Sequence, residues 1–199
     1  MCNDYQREIE AGRVLRLIKE MENVPPFAWE AGRIPNDAGP TPHVKVRDKG
    51  LIVRLRNDQL VGSMTTWAWL TTKKPVFNFV SEHRKFAETE RCIIPATGFY
   101  EYTEPKRPKT KLKDQHLFKM AGHEWFWIAG IVKHGAFAML TTEPGPDVKP
   151  YHDRQICVLP PNGALEWLTL AKPESALLKP LPGGSLSVRT LRKDGEQVS

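Results

Sequence analysis

Apolar positions along this chain recur at two periods. Val14, Leu17, Ile18 and Met21 fall at i, i+3, i+4 and i+7, one stripe of a helix. A helix over 4–22 follows, with Asn3 as N-cap and Gln6 as its capping partner. It stops before Val24-Pro25-Pro26. Residues 30–42 hold Gly32, Pro35, Gly39, Pro40 and Pro42 and predict a surface loop. Strands are expected at 43–47 and 51–55, the second apolar on both faces as in a buried sheet.

Further on, Met64–Leu70 is a short aromatic run. On a strand its Trp67 and Trp69 share one face. That face is either core or a stacking platform for nucleic-acid bases. A helix is expected from Ser81 to about Arg91. Residues 92–102 then form a strand, a turn at Pro95–Gly98 and a second strand. Strands follow at 115–120, 125–132, 136–142 and 156–159. Short helices are expected at 162–169 and 173–178, and a last strand near 187–189. The tail from Lys193 is expected to fray, leaving one domain over 1–192. The class is α+β: one compact domain with a β-barrel-like mixed sheet and flanking helices.

With 199 residues, the chain can bury a large core. No apolar run has transmembrane length and no signal-peptide pattern is present. A cytoplasmic, nucleoid-associated protein is the expectation, and a monomer the default. The net charge of +6 suits a polyanionic partner. Cys2, Cys92 and Cys157 are far apart, and neither they nor the six histidines show metal-ligand spacing. No metal or other cofactor is implied.

Chemistry gathers at four places. Cys2 follows Met1, so removal of Met1 leaves an amine and a thiol on adjacent carbons. Such a pair condenses with an aldehyde to an imine and then closes to a thiazolidine. A helix beginning after Cys2 would favour its thiolate. Glu101 lies between Tyr100 and Tyr102. It is either a solvent-facing edge residue or, if it shares a face with Phe99, a desolvated carboxyl and candidate proton donor. Lys106, Arg107, Lys109, Lys111 and Lys113 make a basic loop, solvated or phosphate-binding. His152-Asp153-Arg154 precedes a buried strand, as a structural turn or an active-site segment.

The order of Met1-Cys2, Trp67, Asn78 with Ser81-Glu82, Gly98-Phe99-Tyr100-Glu101, Ala129-Gly130, Thr141-Thr142 and His152-Asp153-Arg154 resembles the SRAP (SOS response-associated peptidase) family. Its members shield abasic sites in single-stranded DNA. The resemblance implies a barrel-like α+β fold crossed by a DNA channel. It also implies a covalent link from Cys2 to the abasic-site aldehyde, with Asn78, Glu101 and His152 as its catalytic companions. The implied partner is single-stranded DNA holding abasic sites. Trp67, Trp69, Pro40, Thr142, Arg154, Lys106 and Arg107 are the expected DNA contacts. Weak lyase activity and self-removal of Met1 are expected side reactions. A thiol peptidase pairing Cys2 with His152, and a non-catalytic DNA-binding module, are the competing readings.

This chain departs from the family pattern in several places. The usual Cys-Gly-Arg-Phe start is Cys2-Asn3-Asp4-Tyr5, so an arginine near the nucleophile is missing; Arg7 is the candidate substitute if the expected helix turns it inward. Phe79-Val80 stand where Ala-Arg is common, Ala68 where glycine is usual, Gln155-Ile156 where Met-Pro is common, and Tyr102 where tryptophan is usual.

Overall fold

The computed structural model describes residues 2–21, 23–70 and 74–198. Fifteen strands and three short α-helices lie in chain order among them: β1 Asp4–Arg7, α1 Ala11–Lys19, β2 Phe27–Trp29, β3 Thr41–Lys45, β4 Lys49–Arg56, β5 Gln59–Trp67 and β6 Asn78–Val80. Then come β7 Glu90–Ala96, β8 Gly98–Thr103, β9 Asp114–Met120, β10 Phe126–Lys133, β11 Ala136–Thr142, β12 Gln155–Ile156 and β13 Val158–Leu159. A single 3-10 turn, α2 Ala164–Thr169, α3 Glu174–Leu177, β14 Leu186–Lys193 and β15 Glu196–Gln197 complete the order.

One sheet runs β15-β14-β9-β8-β1-β3. The other runs β12-β11-β10-β7-β4-β5-β2, and a further β11–β5 pairing bends it back on itself. The sheets curl into a half-barrel within one α+β domain. The second sheet is buried on both faces, which explains its unbroken apolar runs. Leu51 and Val53 of β4, with Trp127, Ala129 and Ile131 of β10, face a core shared with Val14 and Ile18 of α1 and Trp167 of α2. Ile52, Phe126 and Ile128 face the other way, into a core between the sheets with Tyr5, Phe99, Phe118 and Cys2.

The expected helix over 4–22 is two elements. Asp4–Arg7 is a strand with all four residues buried. It pairs with β3 through Tyr5↔Val44 and with β8 through Tyr5↔Phe99. Two ladders of non-local hydrogen bonds outweigh a helical propensity worth tenths of a kcal/mol per residue. The helix begins only at Ala11, three residues before the periodic stripe starts at Val14, and Glu10 stands at the N-cap position instead of Asn3.

Residues 81–89 are turns, not the expected helix. The guanidinium of Arg91 donates to the carbonyls of Phe86 and Ala87 at 2.6 and 3.1 Å, acceptors that a helix would use internally. Phe86 is thereby buried against Trp167 and Phe79. The two strands around Pro95–Gly98 are present, but β7 and β8 belong to different sheets, so the chain crosses between sheets at Thr97. The expected fraying from Lys193 is corrected too: β15 folds back on β14 through Arg192↔Gln197 and Lys193↔Glu196.

Trp67 and Trp69 do not share a face. Ala68 has φ of 124°, which breaks the strand between them. Trp67 enters the core between the sheets, stacked 6.2 Å from Phe137, with its indole N–H on the Phe77 carbonyl. Trp69 enters the helix-covered core and donates to the Ala136 carbonyl. With exposures of 0% and 7%, neither ring offers a face to a base.

Candidate functional site

β1 carries Asp4–Arg7 into the six-stranded sheet between β8 and the edge strand β3. Cys2 is buried there. Its thiol donates to the Asp4 carbonyl at 3.3 Å. Burial, reinforced by the charge of Glu101, pushes the thiol well above its usual pKa. The helix-dipole expectation is therefore reversed: no helix starts beside Cys2, and the thiol stays protonated at neutral pH.

Phe99 and Glu101 lie two residues apart on β8, on its buried face. The solvent-facing alternative for Glu101 is thus excluded, since its exposure is 1%. Burial lifts its carboxyl to about 7, even though the carboxyl accepts a hydrogen bond from the main-chain N–H of Cys2. Asn78 opens β6, which runs parallel to β11 with Asn78 opposite Met139. Its amide nitrogen donates to the Cys2 carbonyl at 2.7 Å. Its Oδ1 is buried and has no hydrogen-bond partner among the described residues. Both main-chain groups of Cys2 are therefore gripped by side chains, one by Glu101 and one by Asn78.

His152 ends a turn whose amides close on the Val148 carbonyl, and Val148 is anchored in the core between the sheets. Its Nδ1 accepts from the Arg154 amide at 3.0 Å, and burial holds its pKa below the usual value. The ring is neutral at pH 7. His152 and Glu101 line one cavity of about 720 Å³ with Asn3, Asp4, Phe77 and Tyr102. The chain thus brings Cys2, Asn78, Glu101 and His152 to one place.

Lys45, Lys111, Lys113 and Arg192 also line this cavity, beside the acids Asp4 and Glu101. They give it a basic wall. Lys45 and Arg192 come from β3 and β14, so only pairing across the sheet could have pointed to them. Lys111 and Lys113 belong to the recognised basic loop. The two loop residues expected to bind DNA, Lys106 and Arg107, sit at a separate depression with Lys193 and Asp194. Arg107 is paired there with Glu196 at 2.8 Å.

Pro40 is exposed at the rim of another depression, shared with His43 and Lys49. Thr142 is buried, paired with Gln155. Arg154 is committed to Glu82 through two hydrogen bonds of 2.5 and 2.8 Å. Arg7 does not replace the missing arginine. It lies on a strand, and its guanidinium is spent on the carbonyls of Ile9, Ala38 and Gly39.

Asp4 is buried and tied to His43 Nδ1 at 2.9 Å and to the Tyr102 hydroxyl at 3.4 Å. Among the described residues, no group of three or more His, Cys, Asp or Glu could hold a metal ion, and no helix is long and apolar enough to cross a membrane.

A family model described as SOS response associated peptidase (SRAP) matches residues 46–197. Abasic site processing protein YoaM of Bacillus subtilis (strain 168) is 34% identical over 128 residues, covering 60% of this chain and 53% of that protein. Abasic site processing protein YobE of the same organism is 31% identical over 128 residues, covering 60% and 55%. The chain spans about half the length of the curated relatives it matches. A crystal structure of a phage-related protein from Bordetella bronchiseptica aligns with TM-score 0.70 at 17% identity, covering 100% of both chains. One from Bacteroides thetaiotaomicron aligns with TM-score 0.68 at 18% identity, covering 97% of this chain and 93% of that one. At these identities the structural likeness is one of fold.

Proposed function

Because the chain belongs to the SOS response associated peptidase (SRAP) family, we propose that it processes abasic sites in single-stranded DNA by linking them covalently to Cys2. One observation carries this reading. The main-chain nitrogen of Cys2, the atom that becomes an α-amine when Met1 is removed, already donates to a carboxyl whose pKa is about 7. The names of the Bacillus relatives support the substrate class.

An abasic sugar opens by losing the proton of its anomeric hydroxyl and gaining one on its ring oxygen. His152 and Glu101, both on the cavity wall, are the groups for these transfers. The Cys2 amine adds to the aldehyde carbon. Glu101 in its protonated form hands a proton to the carbinolamine hydroxyl, which leaves as water and yields the imine. The thiol then adds to the imine carbon and its proton passes to nitrogen, closing the thiazolidine. Asn78 holds the Cys2 carbonyl throughout, and its unpaired Oδ1 is suited to a sugar hydroxyl. Lys45, Lys111 and Arg192 supply the charge that draws the phosphates, while Lys113 is paired with Glu104 at 2.6 Å.

A raised thiol pKa suits this order of events, because the amine reacts first and the thiol acts only on the imine. It does not suit a thiol peptidase, which needs a thiolate held by an imidazole. Here the thiol is turned to the Asp4 carbonyl. Peptidase action is therefore proposed only for removal of Met1, and lyase action only where the imine outlives ring closure.

The test is intact-protein mass spectrometry with an oligonucleotide holding one abasic site. The expected result is loss of Met1 and a gain equal to the oligonucleotide minus water. Loss of Met1 with no adduct overturns the covalent reading in favour of a non-catalytic DNA-binding module.

A further inference from the structure

We propose that Glu82 is a positioning residue for His152, acting through Arg154 to select the ring tautomer presented to the cavity. The proposal rests on the abasic-site reading of the site.

Two groups compete for His152 Nδ1. The Arg154 amide N–H donates to it at 3.0 Å. The Asp153 carboxylate lies 2.8 Å from the same nitrogen. These neighbours select opposite tautomers. The amide requires Nδ1 to accept, which places the proton on Nε2. The carboxylate requires Nδ1 to carry the proton, which makes Nε2 an acceptor. A neutral ring satisfies one of them, and the placement of the Arg154 main chain decides which.

That placement is fixed by the arginine's own side chain. Its guanidinium makes two hydrogen bonds to Glu82, at 2.5 and 2.8 Å, and a third to Thr141 Oγ1 at 3.1 Å. The Arg154 contact holds the Glu82 carboxyl below the usual range, so the pair stays charged. Glu82 is itself immobilised, because Ser81 beside it donates both its amide and its hydroxyl to the Thr141 carbonyl, at 2.9 and 2.8 Å. Glu82 follows Asn78 by four residues on the same segment. The pair therefore ties the segment gripping Cys2 to the turn carrying His152. The Asp153 carboxylate, by contrast, is 89% exposed to solvent.

Removing the Glu82 charge frees Arg154, lets its amide withdraw and gives Nδ1–H to Asp153. The proposal is tested by the nitrogen shifts of His152 in long-range proton–nitrogen NMR, alongside adduct kinetics. The Nε2–H tautomer is expected in the starting protein and the Nδ1–H tautomer in Glu82→Gln. The maximal rate of adduct formation should fall on the order of ten- to a hundredfold, the scale of a misplaced catalytic group. The DNA dissociation constant should move less than about twofold, the mark of a group that acts on His152 rather than on phosphate. Glu82→Asp should recover part of the rate, and Asp153→Ala in the Glu82→Gln background, which removes the competing acceptor, should restore the tautomer. Thr141→Val, which removes the third contact together with a long 3.5 Å bond from the Thr141 hydroxyl to the Phe79 carbonyl, serves as a milder variant should Glu82→Gln not fold, and should give a mixture of tautomers.

An Nδ1–H tautomer in the starting protein overturns the proposal. So does an unchanged tautomer in Glu82→Gln, or a loss confined to DNA affinity. Absence of any adduct with the starting protein would instead strike the functional reading, while the tautomer comparison still judges this one.

Discussion

The main-chain N–H of Cys2 donates to the carboxyl of Glu101 on β8, two residues before β1 begins its pairing with that strand. A single substitution separates the two nucleophiles that this contact prepares. Cys2→Ser keeps the amine and removes the thiol. It should form an imine that borohydride traps, but no adduct that survives without reductant, and it should cleave the DNA strand more than the starting protein does. Cys2→Ala should behave in the same way. Gel analysis with and without borohydride checks both, and a heat-stable adduct formed by Cys2→Ser without reductant would contradict the ring-closing step.

Glu101 is held at a cost to the fold. Its carboxyl is raised from 4.5 to about 7 by burial. Between those values the folded chain keeps a proton that the unfolded chain has released, so stability falls as pH rises through the window and is lowest above it. At about 1.4 kcal/mol per pH unit the loss is on the order of 3 kcal/mol. Glu101→Gln should therefore match the starting protein near pH 4.5 and exceed it in stability by that order at pH 8, while its adduct rate collapses. Urea unfolding at the two pH values measures the first effect, and an equal stability difference at both would refute it.

The Asn78 side chain bonds the Cys2 carbonyl. Asn78→Ala leaves that buried carbonyl without its donor, at about 1–3 kcal/mol. The adduct rate should fall more than the stability change predicts, because the amine is no longer held in place. Thermal unfolding and single-turnover kinetics on the same preparation separate the two losses. Unchanged kinetics would remove Asn78 from the mechanism.

Salt dependence discriminates between the two basic regions. Neutralising Lys45 and Arg192 together should make the slope of log affinity against log salt shallower by roughly 0.7 per charge on single-stranded DNA. Neutralising Lys106 and Arg107 should change it less, since Arg107 is paired with Glu196 away from the cavity. Fluorescence anisotropy across a salt series reads both, and the reverse ranking would move the DNA path to the other depression.

The sequence was informative where patterns are local. The run Leu51-Ile52-Val53 announced a strand buried on both faces, and the spacing of Phe99 and Glu101 allowed for a carboxyl on an apolar face. It was uninformative where a partner from elsewhere decides. Asp4–Arg7 looks helical until Val44 and Phe99 are known to flank it. Trp67 and Trp69 look like one face because the turn of the backbone at Ala68 has no local signature. Lys45 and Arg192 reach the cavity only through the register of β3 and β14, which no spacing along the chain encodes. The Glu82–Arg154 pair spans 72 residues and was equally hidden.

β1 is an interior strand, hydrogen-bonded on both sides, and Cys2 stands two residues before it. Under the proposed linkage, tension on the DNA would enter the protein along the axis of that strand. Pulling in this direction loads the β1–β3 and β1–β8 ladders in shear, so their bonds resist together instead of parting one after another. A motor enzyme hauling on the strand would meet a mechanical anchor, and the folded domain would yield only when two rows of hydrogen bonds failed at once.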